Sequence, residues 1–326
     1  MIFKAIGNLI IAAVAFQLVP GAWTEVAVHP GTATAELVSG VISWESELPA
    51  AKDVAVAALP QAASIRAPQR IGDQSLGVAI TAPSAIVADL ASGKILFSKN
   101  PDEVRSIASI TKLMTALIFL EKNQDMDRVL KIKRKLEIGN NDFYSGEEVK
   151  ARDLLYSALI GSDNTAAENL ALSLEMSGEE FIAAMNAKAA EMDFQKTYFA
   201  DPVGLNPKNK SNALEVAKIL KEAFNYDDIR RAAEMKSYEF ISVSGKRHFI
   251  KSTDRLLSSF INRPPYSILA AKTGSLPAAG YCLAMAVEYE GNAVIIVSLG
   301  SRDDASRFQD VKSLAWWTFS NYKWQE

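Results

Sequence analysis

Residues 281–289 and 293–299 are two apolar runs separated only by Glu290, Gly291 and Asn292. Runs of that length around a glycine turn form an antiparallel hairpin, and a lone hairpin cannot bury its apolar faces. The strands that complete the sheet must therefore come from elsewhere. Residues 268–273 and 238–243 are nearby candidates, while residues 85–90 and 94–97, joined at Ala91-Ser92-Gly93, form a distant pair. Between the two ends the chain has helical periodicity. Residues 152–160 and 165–174 flank the short break Gly161-Ser162-Asp163-Asn164. Ser177 and Glu180 make a capping box ahead of a helix at 181–192, and Ser211 is placed to cap another that runs to Phe224. A last helix covers 304–322. Strands at both ends with helices between them predict an α+β domain, its sheet assembled from sequence-distant pieces around an inserted helical lobe.

The N-terminal part has a different character. Lys4 precedes an apolar run over residues 5–19, the length of a signal-peptide core and short for a spanning helix. A cleaved signal or a retained membrane anchor is expected at 1–20, and either places the rest of the chain outside the cytoplasm. Residues 21–74, rich in Ala, Val, Ser, Thr and Pro, read as a flexible linker. The folded domain is expected over 75–326. Hydrophobic residues at 49% allow a real core, and a net charge of −3 offers no basic surface for nucleic acid. His29, His248 and the single Cys282 exclude a histidine-rich metal site, cysteine-ligated zinc and an internal disulfide. Cys282 reads as a small core residue, and His248 as exposed or hydrogen-bonded. Trp316, Trp317 and Trp324 read as packing of the last helix.

The chemistry is carried by three short motifs. Ser109 and Lys112 stand three apart at the start of an apolar helical run. A serine hydroxyl is a poor nucleophile without a neighbouring base, and a lysine three residues on shares its helix face. Burial and a second cation would depress the lysine pKa enough for that task. The helix N-terminus would add free N–H groups to face an oxyanion. Alone, the pattern also suits a helix cap followed by a surface lysine, and it recurs at Ser320 and Lys323. Ser162-Asp163-Asn164 between two helices and Lys272-Thr273-Gly274 at a strand end reverse that weighing. Together these are, in order, the three elements of penicillin-interacting serine acyltransferases.

On these motifs, residues 75–326 resemble the low-molecular-mass penicillin-binding proteins, the serine D-alanyl-D-alanine carboxypeptidase family. Segments 198–205, 211–217, 252–257 and 279–283 are similar to the family as well. The resemblance implies a β-lactamase/DD-peptidase-like α+β fold, with an antiparallel sheet of about five strands, flanking helices and a helical lobe. It implies Ser109 as the acylated nucleophile, Lys112 as its proton acceptor and Ser162 as a relay toward the leaving amine. Asn164 would position Lys112 and the substrate amide, and Lys272 would contribute positive charge and assist the relay. The N–H groups of Ser109 and Ser275 would form the oxyanion hole beside Gly274. Thr273 would bind the substrate's terminal carboxylate together with Arg307, or with Arg302 in its place. No metal or cofactor is implied.

Three features depart from the family pattern. Ile107 stands where many members have proline, and Ser275 where larger residues are usual. The chain also ends soon after the last helix, without a β-rich C-terminal domain, so the N-terminal segment is the expected membrane contact. The implied partner is a peptidoglycan stem peptide ending in D-Ala-D-Ala, with β-lactams as covalent inhibitors. A carboxypeptidase is the leading expectation. A DD-endopeptidase cutting cross-links uses the same machinery, and a weakly active regulatory module is a further alternative. A β-lactamase would need an added deacylating base, and residues 199–206 offer no glutamate.

Overall fold

The computed structural model describes residues 66–72, 77–123, 125–140 and 142–325. The expected signal or anchor at 1–20 and most of the expected linker lie outside them. Among the described residues, no helix is long and apolar enough to cross a membrane.

The sheet is built as its sequence-distant strand signals require. Strands β1 (Ser84–Asp89) and β2 (Ile95–Lys99) come from one end of the domain, and β3 (Tyr266–Leu276), β4 (Gly280–Tyr289) and β5 (Asn292–Ser301) from the other. They pair antiparallel in the order β3-β4-β5-β1-β2. The β4–β5 turn is tighter than expected, because Tyr289 pairs with Asn292 and leaves only Glu290 and Gly291 in the loop. Their φ values of +50° and +79° give a primed turn, whose twist matches that of the strands.

Alternation along the strands sorts side chains into two cores. Ile86, Ala284, Ala286, Ile295 and Val297 face a core shared with the helical lobe. Val87, Leu283, Met285, Val294 and Ile296 face a second one, closed by Phe308, Val311 and Leu314 of the last helix. Each fully buried aliphatic side chain contributes about 1.5–3 kcal/mol, so both faces of the sheet are committed to packing. The helices are α1 (Lys112–Lys122), α2 (Ala151–Ile160), α3 (Asn164–Ser173), α4 (Gly178–Glu191), α5 (Ala213–Ala223), α6 (Asp227–Glu234) and α7 (Asp304–Asn321). The capping box at Ser177 and Glu180 is present at the start of α4.

Some local expectations shift. Asn212, not Ser211, caps α5: its side chain accepts from the Glu215 N–H at 2.8 Å, while Ser211 pairs with Arg105 in a short strand. The strand at Ser237–Ile241 has a partner that the sequence concealed, Arg247–Lys251. Trp317 is buried as expected, but Trp316 points to solvent with 60% of its surface exposed. The fold also takes in residues ahead of 75, because Gln69–Arg70 pairs antiparallel with Tyr322–Lys323.

Candidate active site

Ser109 does not cap α1. It lies in a 3₁₀ turn, Ala108–Thr111, that leads directly into the helix. The turn is clamped from both sides. A Cβ at Gly274 of β3 would stand 2.8 Å from the Ile107 carbonyl oxygen and 3.2 Å from the Ser109 nitrogen. At Gly204, whose φ is +90°, a Cβ would collide with the Ala108 carbonyl oxygen at 2.2 Å. Only glycine permits these approaches. They bring the strand bearing Lys272-Thr273-Gly274 and the loop after the helical lobe against the serine.

Lys112, on the first turn of α1, is fully buried, and its Nζ makes three hydrogen bonds. It donates to Ser109 Oγ at 2.9 Å, Asn164 Oδ1 at 2.8 Å and the Val203 carbonyl oxygen at 2.7 Å. Burial lowers its pKa from the ordinary lysine value to about 7, against the opposing pull of the nearby carboxylates Asp163 and Asp201. An ammonium held this way releases its proton near neutrality. Once neutral, the amine presents a lone pair 2.9 Å from the serine hydroxyl.

A second lysine–hydroxyl pair lies across the cleft. Lys272 Nζ donates to Ser162 Oγ at 2.8 Å and to its own strand's Thr273 carbonyl at 2.9 Å. Burial, then the charges of Lys112 and Arg307, push its pKa well below the ordinary lysine range. Ser162 sits in the left-handed backbone region at φ +55°, between α2 and α3. A non-glycine residue stays in that region only when its surroundings fix it. Here Asp163 does so, accepting from the Ala166 N–H at 2.7 Å and from the Asp142 N–H at 2.8 Å, with its carboxyl pushed up to about 6 by burial.

Arg307, not Arg302, reaches the site. Arg307 is 7% exposed, donates to the Gly274 carbonyl oxygen at 3.1 Å and pairs with Asp304 at 2.5 Å. The Arg302 side chain is 75% exposed and pairs with Asp303. Ser109, Ser162, Asn164, Thr273, Gly274, Ser275 and Arg307 all line one cleft of about 240 Å³. Among the described residues no carboxylate lines it. Cys282 is buried in β4, and its thiol pKa is raised to about 11 by burial, which leaves it a core residue. His248 is buried and bonded to Glu147 Oε1 at 2.6 Å, away from the cleft. Ser320, of the second serine–lysine repeat, is exposed on the last turn of α7.

Sequence reasoning missed three contributors. Thr253 Oγ1 lies 2.6 Å from Thr273 Oγ1 and lines the cleft. The Ile138 carbonyl accepts from Asn164 Nδ2 at 2.6 Å, and the Asn140 carbonyl accepts from the Asn164 N–H at 2.8 Å. Asp163, already part of the Ser162-Asp163-Asn164 motif, carried a further sequence signal, an aspartate three residues ahead of a helical N–H that it caps.

Comparison with known proteins agrees with this geometry. A family model described as D-alanyl-D-alanine carboxypeptidase matches residues 69–303. The D-alanyl-D-alanine endopeptidase of Escherichia coli K12 is 31% identical over 262 residues, covering 77% of this chain and 83% of that protein. The carboxypeptidase DacF of Bacillus subtilis is 28% identical over 77% of this chain and 66% of its own. A solved DD-transpeptidase of Streptomyces superposes with a TM-score of 0.67 at 27% identity, over 74% of this chain and 98% of that one. Penicillin-binding protein D2 of Listeria monocytogenes, solved in its ampicillin-bound form, gives 0.64 at 27% identity over 74% of this chain and 98% of that one. The chain belongs to the D-alanyl-D-alanine carboxypeptidase family of serine peptidases and is a serine DD-peptidase.

Proposed function

We propose that the protein trims peptidoglycan stem peptides ending in D-Ala-D-Ala through an acyl-enzyme on Ser109. The observation that carries this is the pair of buried lysines, each bonded to a serine hydroxyl at the same cleft. Neutral Lys112 takes the Ser109 proton as Oγ attacks the penultimate carbonyl carbon. The N–H groups of Ser109 and Ser275 face the resulting oxyanion. Collapse breaks the C–N bond, and the proton held by Lys112 passes to the leaving amine by way of Ser162, assisted by the charge of Lys272, which returns Lys112 to its neutral form. Water then attacks the ester, gives its proton to Lys112 and releases the acid. Arg307, which is also paired with Asp304, and Thr273 hold the terminal carboxylate by charge-assisted hydrogen bonds in a cleft lined by no acid.

β-Lactams would acylate Ser109 by the same step. With no carboxylate at the cleft to activate water, their esters would persist, which separates this site from a β-lactamase. The N-terminal apolar run supports action outside the cytoplasm, with membrane contact confined to that segment.

A second reading, endopeptidase cleavage of cross-links, has its own support. Relatives at 31–33% identity are named endopeptidases, and the small Ser275 borders an adjoining 400 Å³ depression with room for a larger leaving group. Incubating wild type and Ser109→Ala with labelled penicillin, a D-Ala-D-Ala pentapeptide and cross-linked muropeptides tests both readings. Wild type is expected to be labelled and to release D-Ala, and the variant to do neither. A wild type that does neither overturns the proposal. Preferential cleavage of cross-links selects the endopeptidase.

A further inference from the structure

A second depression of about 420 Å³ adjoins the cleft and is strongly basic. It is lined by Arg105, Lys208 and Lys210 together with Val104, Ser106, Pro207 and Ala278. Lys208 and Lys210 are exposed, and neither makes an ion pair or a side-chain hydrogen bond with another described residue. Arg105 is partly occupied by Glu103, at 2.5 Å, while its buried Nε has no partner among the described residues. Three cations thus face one carboxylate. Clustered cations around a concavity raise its positive potential and concentrate anions there.

The groove is joined to the catalytic cleft by three separate chain segments. Leu205, Ser275 and Ser109 line the cleft, while Pro207, Ala278 and Ser106 line the groove. These pairs are two or three residues apart, so the two spaces are separated by no more than about 7–10 Å of chain. The walls are continuous as well. Ser106 pairs with Lys210, and the Ile107 N–H donates to the Asn209 carbonyl at 3.1 Å, just ahead of the nucleophile turn. Groove residues join the cleft at its Leu205 and Leu276 side, and Arg307 lies outside the groove lining. An extended peptide advances about 3.3 Å per residue, so the groove lies roughly two to three residues from the acylated one; Arg307, the proposed holder of the terminal carboxylate, does not line it, which leaves it to the acyl-donor side.

We propose that Arg105, Lys208 and Lys210 form a subsite of this cleft that binds a carboxylate carried by the acyl-donor peptide upstream of the cleaved bond. The inference rests on the DD-peptidase reading and adds a selectivity to it: acidic stems are preferred over their amidated forms. Charge pairing in an open groove is modest for each pair, weakens with salt and acts on substrate capture.

The test uses the full chain and two pentapeptides ending in D-Ala-D-Ala. They differ only in whether the second residue bears a free carboxylate or its amide. Wild type is expected to favour the acid by at least about fivefold in kcat/KM, mostly through KM, and to lose most of that preference at about 0.5 M salt. In Lys208→Glu/Lys210→Glu the preference is expected to disappear or invert. Penicillin labelling reports whether the variant's nucleophile turn is intact, and Lys208→Gln replaces the double variant if it is not. Equal wild-type turnover of the two peptides overturns the subsite and leaves the peptidase reading standing. Failure of wild type to release D-Ala from either peptide overturns the peptidase reading, and the subsite with it.

Discussion

At the scale of single residues, the reaction depends on a proton held by a buried amine. As the proposed base, Lys112 can act only when neutral, and burial lowers its pKa to about 7. Below that pH the ammonium donates to Ser109 and cannot accept, so acylation by penicillin is expected to rise with pH through about 7 and then level off. At pH 5 about one hundredth of the amine is neutral, and the rate is expected to be about 100-fold below its plateau. A rate flat from pH 5 to 8, measured by stopped labelling, would remove Lys112 from that role. Gly274 supplies a second expectation. In Gly274→Ala the new methyl meets backbone rather than a yielding side chain. Overpacking there is expected to cost about 1–3 kcal/mol in urea unfolding and to slow acylation disproportionately, because the displaced atoms belong to the serine's own turn. The two arginines separate cleanly too. Arg307→Ala is expected to raise KM for the peptide about 10- to 100-fold through lost charge-assisted hydrogen bonds, whereas Arg302→Ala is expected to stay near wild type.

At the scale of elements, the hairpin of Ser237–Ile241 and Arg247–Lys251 supports one wall of the cleft from behind. His248 stacks against both Phe143 and Phe240, with ring centroids at 4.8 and 4.7 Å, and bonds to Glu147, which also accepts from the Tyr144 N–H at 3.1 Å. These contacts hold residues 143–147 close behind Ile138 and Asn140, which bind Asn164. Glu147→Ala leaves a buried histidine without its acceptor and is expected to cost about 2–4 kcal/mol in urea unfolding, a value between a lost hydrogen bond and a broken buried pair. An unchanged midpoint would show that the pair does not hold the hairpin. This element also marks where the sequence stops being legible. Arg247 and Lys251 put charges on the outward face of the second strand, so its apolar period was reduced to His248 and Ile250. Ser211 and Asn212 are both competent caps, and only the pairing of Ser211 with Arg105 decides between them. The catalytic motifs were readable because each needs fixed residue types at short spacing. That Ser109 occupies a 3₁₀ turn was not, because Gly204 and Gly274 impose it from far along the chain. Arg302 and Arg307 looked alike for the same reason: Arg302 stands just ahead of α7 in solvent, and Arg307 on its first turn faces the sheet.

At the scale of the whole molecule, the two ends of the domain are laced together on the side of α7 remote from the chemistry. Gln69–Arg70 pairs with Tyr322–Lys323, and the Ile71 N–H donates to the Asn321 carbonyl at 2.8 Å. Tyr322 then reaches the Leu96 carbonyl of β2, and Trp324 Nε1 reaches Asp89 at the end of β1, each at 2.7 Å. The C-terminal residues thereby hold the edge of a sheet whose strands are separated by most of the domain's sequence. Arg307 stands near the first turn of this helix and Asn321 at its last residue. At 1.5 Å per residue, about 21 Å separates the cleft from the lacing. Stability and activity are therefore expected to divide between the two ends. Trp324→Ala removes a half-buried indole packed on Phe319 at 5.4 Å and leaves Asp89 without that donor, at an expected cost of about 2–3 kcal/mol in unfolding free energy. Its penicillin acylation rate at a temperature where the variant is folded is expected to stay within about twofold of wild type, because sites this far apart without shared partners act additively. Parallel urea titration and labelling check both halves. A loss of acylation matching the loss of stability would mean that the sheet edge, and not only the cleft end of α7, sets the geometry around Ser109.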